Sequence, residues 1–374
     1  MYQMRKLFVL MAFLALGMLN VNESKAWTDS VVRGNYEFEY KPTKGGYWIT
    51  QIIPCSDKGI ETLAIPEKIK GKKVVKLGPR DREPDEEGVN LFGVSNAPDE
   101  AKYGYTPKKI HIRTEKIKKI QIPETVKVIT PSCFNMIQHE KSINIPQGVS
   151  KDVEDLVGYN WKKFKISSKN KWYKIKNGCL LSKDGKVLYG PVIKKEKIVV
   201  PKTVKIMKSV SVAYDGVSTI ILPKSLKKIE DEGLNINTQV TIKIAKGNKT
   251  YGVKYGCIYN KKTGRLVAGS APNGVFQIPE GVIYATSYDG FLGKKAQKII
   301  VPASVEKLDR VLGFFEGPDG EFVMKGKKPP KFTCAITNGV KNVIVYVPKG
   351  CISIYEQALK FDRSVNVTYI EQEQ

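Results

Sequence analysis

Histidine is the scarcest reactive side chain in this protein: two residues among 374, His111 and His139. Neither lies in a His-Glu-x-x-His or comparable ligand pattern. His111, between Ile110 and Ile112, reads as part of a strand, and His139 as part of a polar turn. Arginine is nearly as rare, so the basic residues are overwhelmingly lysine. The planar guanidinium is the group suited to bidentate phosphate recognition, whereas lysine is a hydrated point charge. A positive charge built from lysine therefore points away from nucleic acid. No glycine-rich phosphate loop is present, and no Cys-x-x-Cys pair offers a thiolate zinc site. The acidic run Asp81, Glu83, Asp85, Glu86 and Glu87 lacks the Asp-x-Asp-x-Asp-Gly order of a calcium loop and reads as a solvated loop. These absences leave no catalytic residue, no metal site and no cofactor to expect.

Long apolar runs are missing too, with one exception at the N-terminus. Arg5 and Lys6 precede an apolar run from Leu7 to Leu19, and a polar stretch ends in Ser24-Lys25-Ala26. A charged start, a short apolar middle and small residues before a cut describe a secretory signal peptide. The run is shorter than the roughly 20 residues a membrane helix needs. The expectation is a cleaved segment 1–26, a mature chain starting at Trp27, no transmembrane segment, and a location at the cell surface, in the periplasm or outside the cell. The formal charge of +25 favours acidic partners, or lysine spread over a solvated face.

What the sequence has in abundance is repetition. An apolar-x-apolar-Pro element recurs at Leu63–Pro66, Ile120–Pro123, Ile143–Pro146, Ile198–Pro201, Ile220–Pro223, Phe276–Pro279, Ile299–Pro302 and Val345–Pro348. The alternation suits a short strand with one buried face, and proline, having no N–H, ends it. Many copies continue with an apolar pair three positions apart, such as Val126 with Ile129 and Leu226 with Ile229. One such unit cannot bury its own apolar face, so neighbours must stack. Short steps between prolines (Pro123 to Pro146, Pro201 to Pro223, Pro279 to Pro302) alternate with long ones. The short steps match one coil of a leucine-rich repeat, about 20–29 residues. A short and a long step together form a larger repeat: Asn170, Tyr173, Gly178-Cys179 and Lys183 correspond to Asn248, Tyr251, Gly256-Cys257 and Lys261. Inside the long steps, Leu180–Tyr189 around Asp184-Gly185 reads as a hairpin with a tight primed turn, and Ile258–Val267 repeats it.

The Ile-x-Ile-Pro-x-Ser/Thr-Val-x-x-Ile units, as in Ile120–Ile129 and Ile220–Ile229, resemble those of BspA-like leucine-rich-repeat proteins of bacterial surfaces. The stretch Ile65–Val75 looks like that family's opening repeat, Gly178–Gly185 like its inter-repeat hairpin, and Pro329-Pro330 through Tyr355 like its closing unit. The resemblance implies a β-rich solenoid: right-handed leucine-rich-repeat coils with a parallel sheet of short strands, inserted β-hairpins and short capping helices. A similar closing unit, Ile145 to Phe164, suggests two blocks, 27–166 and 167–374, with a closing helix near 351–361. The usual Gly-x-x-Ala-Phe continuation is only partly matched, by Ser132-Cys133-Phe134. The family is implicated in adhesion.

Six cysteines in an exported chain permit disulfides. Cys179 and Cys257 lie about three coils apart, roughly 14 Å at 4.8 Å per strand, beyond the roughly 7 Å limit of a bridge. Buried free thiols are the expectation, with Cys334 and Cys351, flanking the last repeat strand, as the pair open to bridging. The middle residue of each strand should face away from the core, which nominates Gln121, Asn144, Val199, Ile221, Gln277, Ile300 and Tyr346, together with Ala64, as a binding surface. A partner or an inserted hairpin could cover it. Trp161, Trp172 and Tyr173 could stack on sugars, or pack; Lys169, Lys171, Lys174 and Lys176 could form a polyanion strip, or the wet side of a strand. The function implied is non-catalytic binding of host or bacterial surface proteins or glycans, polyanionic ones among them. A self-associating envelope protein and a glycan-active enzyme are the other classes left open.

Overall fold

The structure, a computed structural model, describes residues 29–79, 91–92, 107–130, 133–134, 141–153, 156–157, 161–193, 195–208, 217–230, 234, 236–237, 240–286, 291–292, 296–309, 317–332, 340–361 and 363–372. The chain divides into two compact units, residues 1–137 and 138–374. The segment expected to be a signal peptide, the acidic run and His139 lie outside the described residues.

In the first unit, residues before the first proline motif form an antiparallel meander of Asp29–Arg33, Tyr36–Thr43 and Gly46–Pro54. Phe38, Ile49, Ile52 and Ile53 are buried within it. Gly46–Pro54 then pairs in parallel with Lys72–Leu77, which pairs in parallel with Val128–Ile129. Gly46 permits this approach: a Cβ there would sit 2.0 Å from the Lys73 carbonyl oxygen. Lys68-Ile69 folds back on Lys72-Lys73 through Lys70 (φ 47°) and Gly71 (φ 79°), the two left-handed residues of a primed turn. Thr62–Ala64 pairs in parallel with Lys119–Gln121.

The strand expected around His111 is instead a helix, Pro107–Glu115. Proline is well placed in a first helical turn, where its missing N–H has no partner to lose. The spacing that matters is helical: His111 Nε2 lies 3.4 Å from Glu115 Oε1 one turn on. Arg113 and Thr114 are buried while Ile112 is 45% exposed, so the apolar alternation did not report the inward face. Arg113 anchors the helix through Nε to Asp57 Oδ1 (2.8 Å) and Nη1 to the Pro54 carbonyl (2.9 Å).

The second unit is a β-solenoid of parallel strands. Ser142–Ile145 pairs with Lys163–Ile166; Lys197–Val199 with Thr219–Leu222 and then Thr241–Ile244. Further along, Val275–Gln277, Lys298–Val301, Asp319–Met324, Asn342–Pro348 and Asn366–Gln372 form one five-stranded parallel sheet. Coils also contribute a second short strand after the turn, as in Ile206-Met207 beside Lys228-Ile229 and Tyr284–Thr286 beside Lys307–Asp309 and Lys331-Phe332. Two apolar clusters run between these strand rows, one from Cys179 to Ala268 and one from Cys257 to Leu359.

Among the described residues four coil strands lack the proline and so escaped the motif. Three of them end at Ser167, Ala245 and Lys325, whose N–H groups donate to the carbonyls of Ile145, Leu222 and Val301 on the preceding coil, each at 2.9 Å. Proline has no such hydrogen, so the ladder closes better where it is absent. The fourth, Asn366–Gln372, adds a further rung beyond Asn342–Pro348, which is therefore not the last strand. It follows the closing helix, Ile352–Ala358. The block junction expected near 166 falls inside the second unit, between Lys163–Ile166 and the inserted strands.

The insertions are three-stranded rather than hairpins alone: Tyr173–Lys176, Cys179–Ser182 and Val187–Pro191 in the first, Tyr251–Lys254, Cys257–Asn260 and Leu266–Ala268 in the second. Val187–Pro191 continues in parallel onto Ile206-Met207, so the first insertion extends the second strand row. The primed turn expected at Asp184-Gly185 lies elsewhere. Of that pair only Gly185 has positive φ, whereas Asn177 (56°) and Gly178 (79°) both do, as do Tyr255 (53°) and Gly256 (74°). At Asp184 the side chain instead accepts from Ser182 Oγ (2.7 Å) and the Lys186 N–H (3.0 Å).

Candidate binding surface

Strand alternation sends every second side chain out of the core, and the structure places all the nominated residues on that outward side. In the first unit, Gln121 is exposed opposite exposed Ala64. In the second, Asn144 is exposed opposite Lys165. Val199, 41% exposed, stands beside half-buried Ile221 and then Lys243. Gln277, Ile300 and Tyr346 belong to one row of the five-stranded sheet, completed by two residues that the proline motif could not flag. That row reads Gln277, Ile300, Val323, Tyr346, Ile370 in direct register. Lys165, Lys243, Val323 and Ile370 share one reason for being missed, since their strands do not end in proline. The alternation in Gly320–Met324 and Val367–Glu371 was the available signal.

The row is flanked by polar groups that order its surroundings. Lys298 Nζ pairs with Glu321 Oε2 at 2.7 Å and lies 6.0 Å from the centre of the Tyr346 ring. The hydrogen bond to Glu321 raises the Lys298 pKa above the usual lysine value. One rung further, Asn342 Nδ2 donates to Asp319 Oδ1 (2.7 Å) and Asn366 Nδ2 to Asn342 Oδ1 (3.1 Å). Beside these lies a depression of about 410 Å³ lined by Gln297, Pro318, Asp319, Glu321, Asn342 and Ile344.

Residues that recur between the two larger repeats are architectural. Asn170 and Asn248 are buried. The Asn248 amide donates to the carbonyls of Pro223, Lys224 and Leu226 at 3.1, 3.2 and 3.0 Å. Its oxygen accepts from the N–H groups of Thr250 and Tyr251 at 2.9 and 2.8 Å. Asn170 does the same for Pro146, Val149, Trp172 and Tyr173. Lys183 Nζ donates to the Asn170 carbonyl and Lys261 Nζ to the Asn248 carbonyl. Tyr173 is buried, and so is Trp161, whose Nε1 donates to Leu156 O; Trp172 is 43% exposed. Of the four lysines read as a strip, only Lys174 and Lys176 lie on a strand; Lys169 and Lys171 flank Asn170 in a turn.

Cys133, Cys179 and Cys257 are buried free thiols. Burial pushes all three thiols up, Cys179 and Cys257 to about 12, which keeps them protonated and unreactive at neutral pH. Cys351, open to a bridge on the sequence, is likewise a buried free thiol, its Sγ donating to Lys349 O at 3.7 Å, and Cys334 lies outside the described residues. Among the described residues no group of three or more His, Cys, Asp or Glu is placed to hold a metal ion.

A family profile described as BspA type Leucine rich repeat region matches residues 107–241 in six copies. This chain carries a BspA-type leucine-rich repeat region. Solved structures similar to it include a leucine rich cell surface protein from Faecalibacterium prausnitzii A2-165, 12% identical over 92% of this chain and 95% of that one, with a TM-score of 0.37. The pneumococcal vaccine antigen PcpA is 11% identical over 92% and 99%, with a TM-score of 0.30. A leucine-rich repeat protein from Bacteroides ovatus ATCC 8483 is 10% identical over 91% and 99%, with a TM-score of 0.35. A search of curated proteins finds no match. The matched region holds the proline-ended strands at Pro123, Pro146, Pro201 and Pro223, and among the described residues no helix is long and apolar enough to cross a membrane.

Proposed function

We propose that this protein is exported and acts without catalysis, presenting the outward face of its C-terminal sheet to a surface protein or glycan in adhesion. The observation that carries the reading is the outward row of the five-stranded sheet. Ile300, Val323, Tyr346 and Ile370 stand on neighbouring strands in register, and Ile370 is 39% exposed. A contiguous apolar ladder with an aromatic at its centre and a charged pair at its rim has the composition of an interface core. Rigid strands hold it, so little ordering is lost on binding. The N-terminal pattern from Arg5 to Ala26 supports export.

The test uses the purified chain on an array of extracellular-matrix proteins and neutral glycans, at about 0.1 and 0.5 M salt, because charge-driven binding collapses over that range. The expected result is a defined partner that survives high salt. The double variant Ile300→Glu/Tyr346→Glu should weaken it at least tenfold, about 1.4 kcal/mol, with the β-sheet circular-dichroism spectrum of the folded chain retained. A partner bound equally well by the variant, or no partner at all, refutes the sheet-face reading. Sequencing the N-terminus of chain recovered from culture medium tests export, with Trp27 expected first.

A further inference from the structure

A second surface of the second unit has no part in the sheet-face reading. The turns that end three consecutive coil strands read Pro201-Lys202-Thr203-Val204-Lys205, Pro223-Lys224-Ser225-Leu226-Lys227 and Ala245-Lys246-Gly247-Asn248-Lys249. Lysine occupies the same two places in all three, so Lys202, Lys224 and Lys246 form one evenly spaced series and Lys205, Lys227 and Lys249 another. The turns are in contact rung to rung. Ser225 Oγ donates to Lys202 O (2.7 Å), the Lys227 N–H to Lys205 O (2.8 Å), and Asn248 Nδ2 to Lys224 O (3.2 Å). Coils that stack as strands advance about 4.8 Å per rung, so two rungs span roughly 10 Å. The six side chains, all exposed, therefore form two columns of three positive charges along that length.

The fold does not require this array. Among the described residues no other coil-strand turn of the second unit carries lysine at both places: the next two have Glu280 with Ile283 and Ala303 with Glu306, the one after Pro146 has Gln147 with Ser150, and those with Ser168 and Lys171 or Lys349 and Ile352 carry one. Those turns close as well. Val282 N–H donates to Pro279 O and Val305 N–H to Pro302 O, as Val204 does to Pro201. Nearby lysines are neutralised, Lys186 by Asp184 and both Lys208 and Lys228 by Glu230. Among the described residues none of the six array lysines has an ion-pair partner. Packing like charges one rung apart opposes folding through self-repulsion, and a line of anions removes that cost.

We propose that Lys202, Lys205, Lys224, Lys227, Lys246 and Lys249 form a binding strip for a linear anionic polysaccharide. Lysine supplies point charges that match carboxylates or sulfates repeated along a chain. Residues between the columns are Thr203, Val204, Ser225, Leu226, Gly247 and Asn248, with Val204, Leu226 and Asn248 buried. The strip thus has no aromatic on which a base could stack, no arginine for bidentate phosphate contact, and no exposed apolar side chain to enter a bilayer.

The test is binding of the full chain to polygalacturonate and to a heparin oligosaccharide, with a 20-base-pair DNA duplex and phosphatidylserine vesicles as the other arms, from about 0.05 to 0.3 M salt. The array variant converts all six lysines to glutamine. A charge-matched control converts Lys162, Lys262, Lys327, Lys328, Lys341 and Lys360 instead. Expected is tight binding to one or both polysaccharides, weakened at least thirtyfold in the array variant and less than threefold in the control. The slope of log K against log salt should fall by up to about 4, at roughly 0.7 per lost contact, the single-strand value. Equal losses in array and control variants would show diffuse charge and overturn the proposal. So would DNA or vesicles binding more tightly than either polysaccharide through the same lysines, or no polysaccharide binding by the parent chain. Thermal melts of both variants confirm folding, which exposed turn lysines should not disturb.

Discussion

Replacing the buried amide of Asn248 by a methyl group is the most demanding test of how these coils hold together. Asn248→Ala removes five hydrogen bonds at once. Lys224 O and Thr250 N sit near the surface and can rehydrate. Pro223 O keeps the Leu226 N–H at 3.3 Å, whereas Leu226 O and Tyr251 N are in the buried set and lose this partner. A buried polar group left unsatisfied costs about 1–3 kcal/mol, and two at the lower half of that range give roughly 2–4 kcal/mol. Asn170→Ala should cost about the same, because its amide serves the equivalent carbonyls and N–H groups. Asn248→Asp is the informative companion. It keeps the acceptor for Thr250 and Tyr251 but turns the second oxygen toward three carbonyls, so its ionised form is disfavoured and its folded pKa raised. Protonation restores one donor, so the deficit of this variant should shrink as pH falls through that raised pKa, while the alanine variant shows no such recovery. Urea unfolding followed by circular dichroism, with midpoints and slopes compared, reads all three. A loss under about 1 kcal/mol for Asn248→Ala, the floor for one buried unsatisfied group, would mean that water replaces the amide and that the asparagine does not plug the coil.

Other consequences are simpler. Ala245→Pro deletes the N–H that donates to Leu222 O and should cost about 1–3 kcal/mol, measurable as a lowered urea midpoint; an unchanged midpoint would show that any strand end in the solenoid accepts proline. Cys133, Cys179 and Cys257 should resist N-ethylmaleimide in the folded chain at neutral pH and react after unfolding, and the total thiol count then reports on Cys334 with Cys351. The N–H of Lys186 and the hydroxyl of Ser182 hold the Asp184 carboxyl well below the usual range. A depressed folded pKa means its contribution is present above the unfolded value, about 3.9, and is lost as pH falls further. The thermal midpoint of Asp184→Asn should therefore lie below the parent at pH 6 and converge with it under strongly acid conditions.

Much of the architecture was legible because it depends on local chemistry. Ile198, Val200, Val204 and Met207 are apolar at fixed offsets from Pro201, and all four are buried. The outward residues followed from the same alternation. Others were hidden for physical reasons. The strands ending at Ser167, Ala245 and Lys325 use an N–H to close the ladder, so they have no proline to mark them. The meander from Asp29 to Pro54 belongs to no repeat. The helix at Pro107–Glu115 contains an Ile-His-Ile alternation whose burial is decided by Arg113 reaching Asp57, far away along the chain. The lysine columns were written in the sequence at a regular spacing, but their two-dimensional order exists only once the coils are stacked.

The sequence by itself determined that a short buried strand recurs, where most copies end and which side chain of each faces out. These depend on near neighbours along the chain and on a repeat length, which a linear string contains. Only the tertiary structure decided which outward residues share a row, that Val323 and Ile370 complete it, and that Asn170 and Asn248 are plugs and not ligands. Those outcomes depend on register between strands a full coil apart and on which polar groups remain to be satisfied after the coils pack.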